Sequence, residues 1–323
     1  MLKGLQQHSN NLENFTIDMK EDLEIAQCEL EVAFPPKTPI KCLYSGNHRG
    51  ELVCTKPSLI FTHGAGGTLK ADAIVNFTYG FVTSTTRPTV LCFRGNTNLA
   101  SRVKMFKAII EARVSLLDHT ISSTPACLGG RSMGARAAIM AATSETTHLV
   151  LVSYPLHTAK ETRDQILLDL PASIKVIFIS GDLDGMCDLE RLETVRRKMK
   201  CQTWKAVVRG ADHGMNVRPK CGTQDVGRMT GAIVATWLHD LNERLTEGTV
   251  SWDTDKAAAQ WSGWGEPQII PATTAASTEP DEPSVKPVES AAKRSKRNSS
   301  KNIEAVQEPE ITQTPKPRKR RRI

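Results

Sequence analysis

The chain has 323 residues, 39% of them hydrophobic, and a formal net charge of +7. That length holds one large α/β domain or two ordinary ones. No apolar run approaches the roughly 20 residues a membrane span needs, and the opening MLKGLQQHSNNLENF is too polar for a secretory leader, so a soluble, non-secreted protein with no membrane partner is expected. Its cysteines (Cys28, Cys42, Cys54, Cys92, Cys127, Cys187, Cys201, Cys221) form no C-x-x-C pair, which removes zinc-type spacing, and several sit in apolar runs as buried reduced thiols do.

Residues 1–27 read as a polar extension, with a short helix-forming stretch around Met19–Gln27. ELEVAF (Glu29–Phe34) and IKCLYS (Ile40–Ser45) alternate apolar and polar residues around PPKTP, which predicts an antiparallel strand pair. ELVC, residues 51–54, extends or decorates that pair. From Pro57 the pattern changes. SLIFTHG, TVLCFRG, ACLGGRS, LVLVSYP, IKVIFISG and TWKAVVRG are short continuous apolar runs, as strands buried on both faces of a parallel sheet require. Helix-length segments separate them: Lys70–Thr83, Leu99–Leu117, Met133–Ser144, Ala159–Leu170, Asp188–Lys200 and Val226–Leu245. In the last, Met229, Ile233, Val234, Trp237, Leu238 and Leu241 fall on one helical face.

This alternation predicts an α/β domain over residues 28–248, a mostly parallel, doubly wound sheet with helices on both faces. From Thr249 to Ile323 the composition turns to Pro, Ala, Thr, Ser, Glu, Lys and Arg, too poor in apolar residues to offset ordering entropy, and predicts a disordered tail.

In a parallel sheet, ligands sit where strands end and loops begin. Four such loops carry chemistry. THGAGG (Thr62–Gly67) is an H-G-x-G-like turn that could lend the Ala65 N–H to an oxyanion, with His63 beside it. The alternatives are a phosphate-binding loop or a plain tight turn, although neither P-loop nor dinucleotide spacing is present. GRSMG (Gly130–Gly134) is either a strained turn presenting Ser132 or a glycine loop that contains a serine. Its setting, strand then turn then Ala-rich helix, is that of a nucleophile elbow, with the Met133 N–H as second oxyanion donor. SGDLDGMCD (Ser180–Asp188) offers three acids: Asp184 at a strand-end turn as partner of a catalytic histidine, Asp182 as a turn cap, Asp188 as a helix N-cap. RGADHGMNV (Arg209–Val217) delivers His213 after the last strand. The order Ser132, Asp184, His213 is that of a serine-hydrolase triad on a sheet of this kind.

THGAGG, LGGRSMGARAA, SYPLH, SGDLDGMCD and DHGM, in this order, resemble the α/β-hydrolase-like family of testis-expressed protein 30 and of subunit 3 of the nuclear NSL histone-acetyltransferase complex. The likeness covers roughly Glu29–Leu245, and GRSM followed by SYPLH is its most specific part. It implies an α/β-hydrolase fold without a large lid, close to dienelactone-hydrolase-like enzymes, and brings no particular substrate. The chemistry expected is hydrolysis of an ester, thioester or amide through an acyl-enzyme on a small acyl substrate, with no metal and no organic cofactor. The alternative is a non-catalytic scaffold among chromatin-complex subunits.

Two more loops are expected to shape the pocket. In FRGNTN, Arg94 either meets a substrate carboxylate or pairs with a nearby acid. In SYPLH, Tyr154, Leu156 and His157 are placed to line an acyl pocket. Arg131 either brings charge beside the nucleophile or turns to solvent. In the tail, KRSKRNSSK (Lys293, Arg294, Lys296, Arg297) and KPRKRRRI (Lys316, Arg318, Lys319, Arg320, Arg321, Arg322) read as nuclear localisation clusters for an import receptor. Nuclear residence, cytoplasmic residence or both follows, with nucleic-acid contact absent or weak.

Overall fold

The structure, a computed structural model, describes residues 25–46, 57–115 and 126–267. Its strands are β1 (Ala26–Val32), β2 (Ile40–Gly46), β3 (Leu59–Thr62), β4 (Val90–Phe93), β5 (Ala126–Arg131), β6 (Thr146–Val152), β7 (Lys175–Gly181), β8 (Gln202–Val208), β9 (Glu247–Asp253) and β10 (Ala258–Trp261). The helices are α1 (Asp72–Thr83), α2 (Leu99–Ser115), α3 (Met133–Ala141), α4 (Gln165–Leu168), α5 (Leu189–Arg196) and α6 (Thr223–His239).

All ten strands form one sheet in the order β1-β2-β4-β3-β5-β6-β7-β8-β9-β10. The run from β4 to β9 is parallel, and antiparallel pairs close both edges. The continuous apolar runs have the cause expected of them. Ile60, Leu128, Leu149, Leu151, Val176 and Phe178 enter one core with α2, α3 and α5. Their neighbours Leu59, Phe61, Val150, Val152, Ile177 and Ile179 enter the other with α1 and α6. Each strand is thus buried on both faces, and the doubly wound α/β reading holds.

The chain runs from β3 to β4 on one side, then crosses to β5 on the other side of β3. The direction of winding reverses there, and the C-terminal ends of β3 and β5 flank the crevice where α/β sheets hold ligands. THGAGG and GRSMG are the loops at that crevice.

Four sequence expectations are corrected. The folded domain does not stop at residue 248: β9 and β10 form a hairpin that extends the sheet to Trp261, with Asp253 Oδ1 accepting the Asp255 and Lys256 N–H groups at 3.0 Å each in its turn. Within Met19–Gln27, Ala26 and Gln27 are strand residues of β1, because their alternation pairs them with Gly46 and Ser45. The helix at Ala159–Leu170 shrinks to α4, preceded by a bridge between His157 and Thr162. Finally, α6 ends at His239 with Asp240 extended, so Leu241 packs from beyond the helix. Residues 1–24, ELVC at 51–54 and both basic clusters lie outside the described residues.

Candidate active site

β5 ends at Arg131 and α3 starts at Met133, so Ser132 alone turns the chain from strand into helix. Its φ of 54° and ψ of −117° are unfavourable for a residue with a Cβ, by about 1–3 kcal/mol. Glycines make the turn fit. A Cβ on Gly130 would stand 2.5 Å from the Gly134 carbonyl carbon, and one on Gly134 would stand 2.6 Å from the Thr62 oxygen. The Ser132 N–H donates to Val152 O at 2.9 Å, which ties the turn to β6. Buried Ala135, Ala137 and Ala138 let α3 lie close on the sheet.

His213 and Asp184 arrive from the loops after β8 and β7. Ser132 Oγ lies 2.9 Å from His213 Nε2, and His213 Nδ1 lies 2.9 Å from each carboxylate oxygen of Asp184. The Asp184 side chain is fully buried, and its Oδ1 also accepts the Met186 N–H at 2.8 Å. An ionised carboxylate only accepts, so the imidazole proton belongs on Nδ1 and Nε2 faces the serine as acceptor. The other two acids of that loop hold backbone. Asp182 Oδ1 accepts the Gly210 N–H at 2.6 Å, and Asp188 caps α5 by accepting the Arg191 N–H at 2.8 Å.

Arg131 does not turn to solvent. Its Nη2 donates to the His213 carbonyl, while Nη1 lies 3.0 Å from where a Gly64 Cβ would stand. Burial draws its pKa below the ordinary guanidinium value, and the charges of Asp184 and Asp212 oppose that shift. The cation therefore straddles the histidine loop and the turn after β3.

That turn is held by two residues. His63 Nδ1 donates to Gly64 O at 2.7 Å, and its Nε2 accepts the Gly95 N–H at 3.1 Å. Arg102, on α2 and fully buried, donates through Nη1 to the carbonyls of His63 and Gly64, the latter at 3.3 Å, and through Nε and Nη2 to Asn96 O. In a trans peptide the N–H points away from the carbonyl. With Gly64 O engaged by His63 and Arg102, the Ala65 N–H is directed to the opposite side of the turn. The turn also lies against Ser132, since a Gly64 Cβ would be 3.3 Å from Ser132 Cβ. Met133, as the first residue of α3, has no carbonyl within the helix for its N–H.

Residues 55–237 match the family model described as alpha/beta hydrolase domain. The chain belongs to the α/β-hydrolase family. Similar solved structures include Est1E from Butyrivibrio proteoclasticus, at 12% identity and a TM-score of 0.49, covering 66% of this chain and 99% of that one. Another is an alpha-beta serine hydrolase homologue from Coxiella burnetii, at 14% identity and 0.49, covering 64% and 97%. A third is alpha/beta hydrolase domain-containing protein 10 from mouse, at 14% and 0.45, covering 67% and 100%.

On this α/β-hydrolase framework, the pocket residues expected from sequence divide. His63 does not line the pocket: both ring nitrogens are engaged in joining the β3 and β4 loops, and burial, with Arg102 and Arg94 nearby, keeps the ring neutral by lowering its pKa. Tyr154 and Leu156 are fully buried core residues. Tyr154 packs edge-on against Phe178 and donates to Arg163 O at 2.5 Å, so neither forms a pocket wall. His157 braces the acid loop, accepting the Asp188 N–H at 3.1 Å through Nε2. Arg94 is exposed and enters no ion pair among the described residues, so the expected pairing with an acid is absent. Arg102 was invisible to motif reading, because an arginine in a mid-sequence helix carries no local sign that loops will bury it.

Proposed function

We propose that the protein is a serine hydrolase acting on an ester, thioester or amide carbonyl. The observation that carries this reading is the unbroken relay from Ser132 Oγ to His213 Nε2 and from His213 Nδ1 to Asp184, each step 2.9 Å. Oγ attacks the carbonyl carbon while His213 Nε2 takes its proton, and buried Asp184 stabilises the imidazolium that forms. The Ala65 and Met133 N–H groups receive the oxyanion, where a single donor is worth about 3 kcal/mol in other serine hydrolases. His213 then protonates the leaving group, and water releases the acyl group from Ser132 by the same route.

A fluorophosphonate probe should label the full-length protein and fail to label Ser132→Ala. Equal labelling of both, or no labelling of folded wild type, overturns the reading. An ester and thioester chain-length panel then identifies the substrate.

A second reading rests on the resemblance to testis-expressed protein 30 and NSL subunit 3 and on the two basic clusters: the protein works in the nucleus beside chromatin-complex subunits. Deleting residues 290–323 should then exclude a fluorescent fusion from the nucleus, and nuclear retention after deletion counts against it. Pull-down of chromatin subunits that is indifferent to Ser132→Ala would favour scaffolding.

A further inference from the structure

A cleft of about 850 Å³ opens beside the candidate active site. One wall is the Ala65–Thr68 turn, so the cleft begins at the residue proposed to donate to the oxyanion. A second wall is the segment from Phe34 to Lys41, and a third is the β4 exit from Arg94 to Thr97.

The charges lining this cleft are unbalanced. Lys37, Lys41 and Arg94 line it against Glu31 alone, and none of the three cations forms an ion pair among the described residues. Glu31 is the register partner of Lys41 across β1 and β2, so it offsets one of the three charges and leaves an excess of two. Lys37 is held at the wall by its Nζ contact with Ser101 Oγ at 3.4 Å and by the Phe34 ring 5.6 Å away. Lys41 and Arg94 are cross-strand neighbours. Lys41 precedes Cys42 and Arg94 follows Phe93, the last pair of that antiparallel ladder, and the Arg94 N–H donates to Lys41 O at 3.0 Å. Like charges directly opposite in an antiparallel pair repel. With Glu31 opposite Lys41 on its other side, an anion here meets the remaining positive charge and gains charge-assisted hydrogen bonds, bidentate at the arginine.

We propose that this cleft is an anion subsite, and that the natural acyl substrate carries a carboxylate or phosphate held by Arg94, Lys41 and Lys37 while its reacting carbonyl lies at Ser132. The inference rests on the serine-hydrolase reading for the second half of that statement only. Ala65, which lines the cleft, directly follows Gly64, whose Cβ would stand 3.3 Å from Ser132 Cβ, so the cleft and Ser132 meet at this one turn.

Two measurements on the full-length chain test the proposal independently. The first compares kcat/KM for 4-nitrophenyl esters of ω-carboxy acids and of ω-phosphoryloxy acids with their methyl-capped neutral counterparts, across chain lengths. Wild type should prefer one anionic series at some length. In Arg94→Gln/Lys41→Gln that preference should fall at least about tenfold, given what a hydrogen bond to a charged group is worth. Arg94→Lys with Lys41→Arg should recover part of it. High salt should shrink the preference, since exposed charges are screened within about 3 Å at 1 M, and Lys198→Gln, outside the cleft, should leave it intact.

The second measurement titrates glutarate and inorganic phosphate into Ser132→Ala by calorimetry. Binding that weakens about tenfold when the Arg94 and Lys41 changes are added supports the subsite, even if the fluorophosphonate experiment fails. No binding of either anion, binding indifferent to those changes, or equal turnover of charged and neutral esters at every length overturns it.

Discussion

The two ends of the same sheet treat buried charge in opposite ways. At the N-terminal ends of β8 and β9, Arg196 Nη1 meets Glu193 and Glu247 at 2.7 and 2.8 Å, and Lys205 Nζ meets the same two acids at 3.0 and 3.2 Å. Two cations and two carboxylates neutralise each other and pin α5 to the sheet. At the C-terminal ends, Arg102 is equally buried but finds only carbonyls, and burial brings its pKa down to about 10. The paired end fixes elements to each other. At the other end Arg102, with no acid of its own, fixes the loops after β3 and β4 through their carbonyls, and on the proposed serine-hydrolase reading positive charge there suits a developing oxyanion.

Breaking each arginine separately tests this contrast. Arg102→Leu strips donors from the carbonyls of His63, Gly64 and Asn96. A loss of about 3 kcal/mol in urea unfolding is expected from the stranded acceptors. In kinetics, kcat should fall about a hundredfold with KM little changed, because a displaced oxyanion donor is missed mainly in the transition state. If kcat holds, the two ends do not differ in kind. Arg196→Met should cost about 3 kcal/mol, because it leaves two buried carboxylates with Lys205 and, for Glu193, the half-exposed Arg197, yet kcat/KM of the folded protein should stay within about twofold. A large kinetic effect from Arg196→Met would erase the contrast.

A smaller effect concerns protons. His148 packs edge-on against Trp237 at the N-terminal end of β6, where burial and then Lys175 lower its pKa from 6.5 to about 4. The folded ring stays neutral while the unfolded one takes a proton, so this contribution is present above pH 6.5 and is lost as pH falls towards 4. For a ring that is not wholly buried, about 2 kcal/mol should disappear across that window. In His148→Phe the pH dependence of the unfolding midpoint should be correspondingly flatter. An unchanged slope would place the acid sensitivity elsewhere.

The sheet and the three-residue relay were legible in the sequence for one reason: both rest on short, contiguous signals. Continuous apolar runs declare strands covered on both faces, and GRSMG carries its own turn chemistry. The β9–β10 hairpin was lost because it is an edge. Val250 is fully buried, but the other residues of the pair are only half-buried, so EGTVSWD and AAQW alternate weakly and merge with the polar composition that follows. Arg102 and the change of Tyr154 from pocket to core depend on contacts between distant segments. Arg102 joins the loops after β3 and β4, and no single window contains both partners. Asp184 could be chosen over Asp182 by position, but the reason appears only in three dimensions: Asp182 already serves the Gly210 N–H.

The backbone at Ser132 has a consequence for how its residue type is interpreted. Glycine enters φ 54°, ψ −117° without penalty. Even after allowing for the greater freedom of glycine in the unfolded chain, Ser132→Gly should raise the unfolding free energy by roughly 1 kcal/mol. A thermal melt would show a higher midpoint for a protein the fluorophosphonate no longer labels, and a lower midpoint would refute the argument. A domain kept only as a scaffold would fold better with glycine at this turn. Serine there works against folding, so folding alone does not account for it.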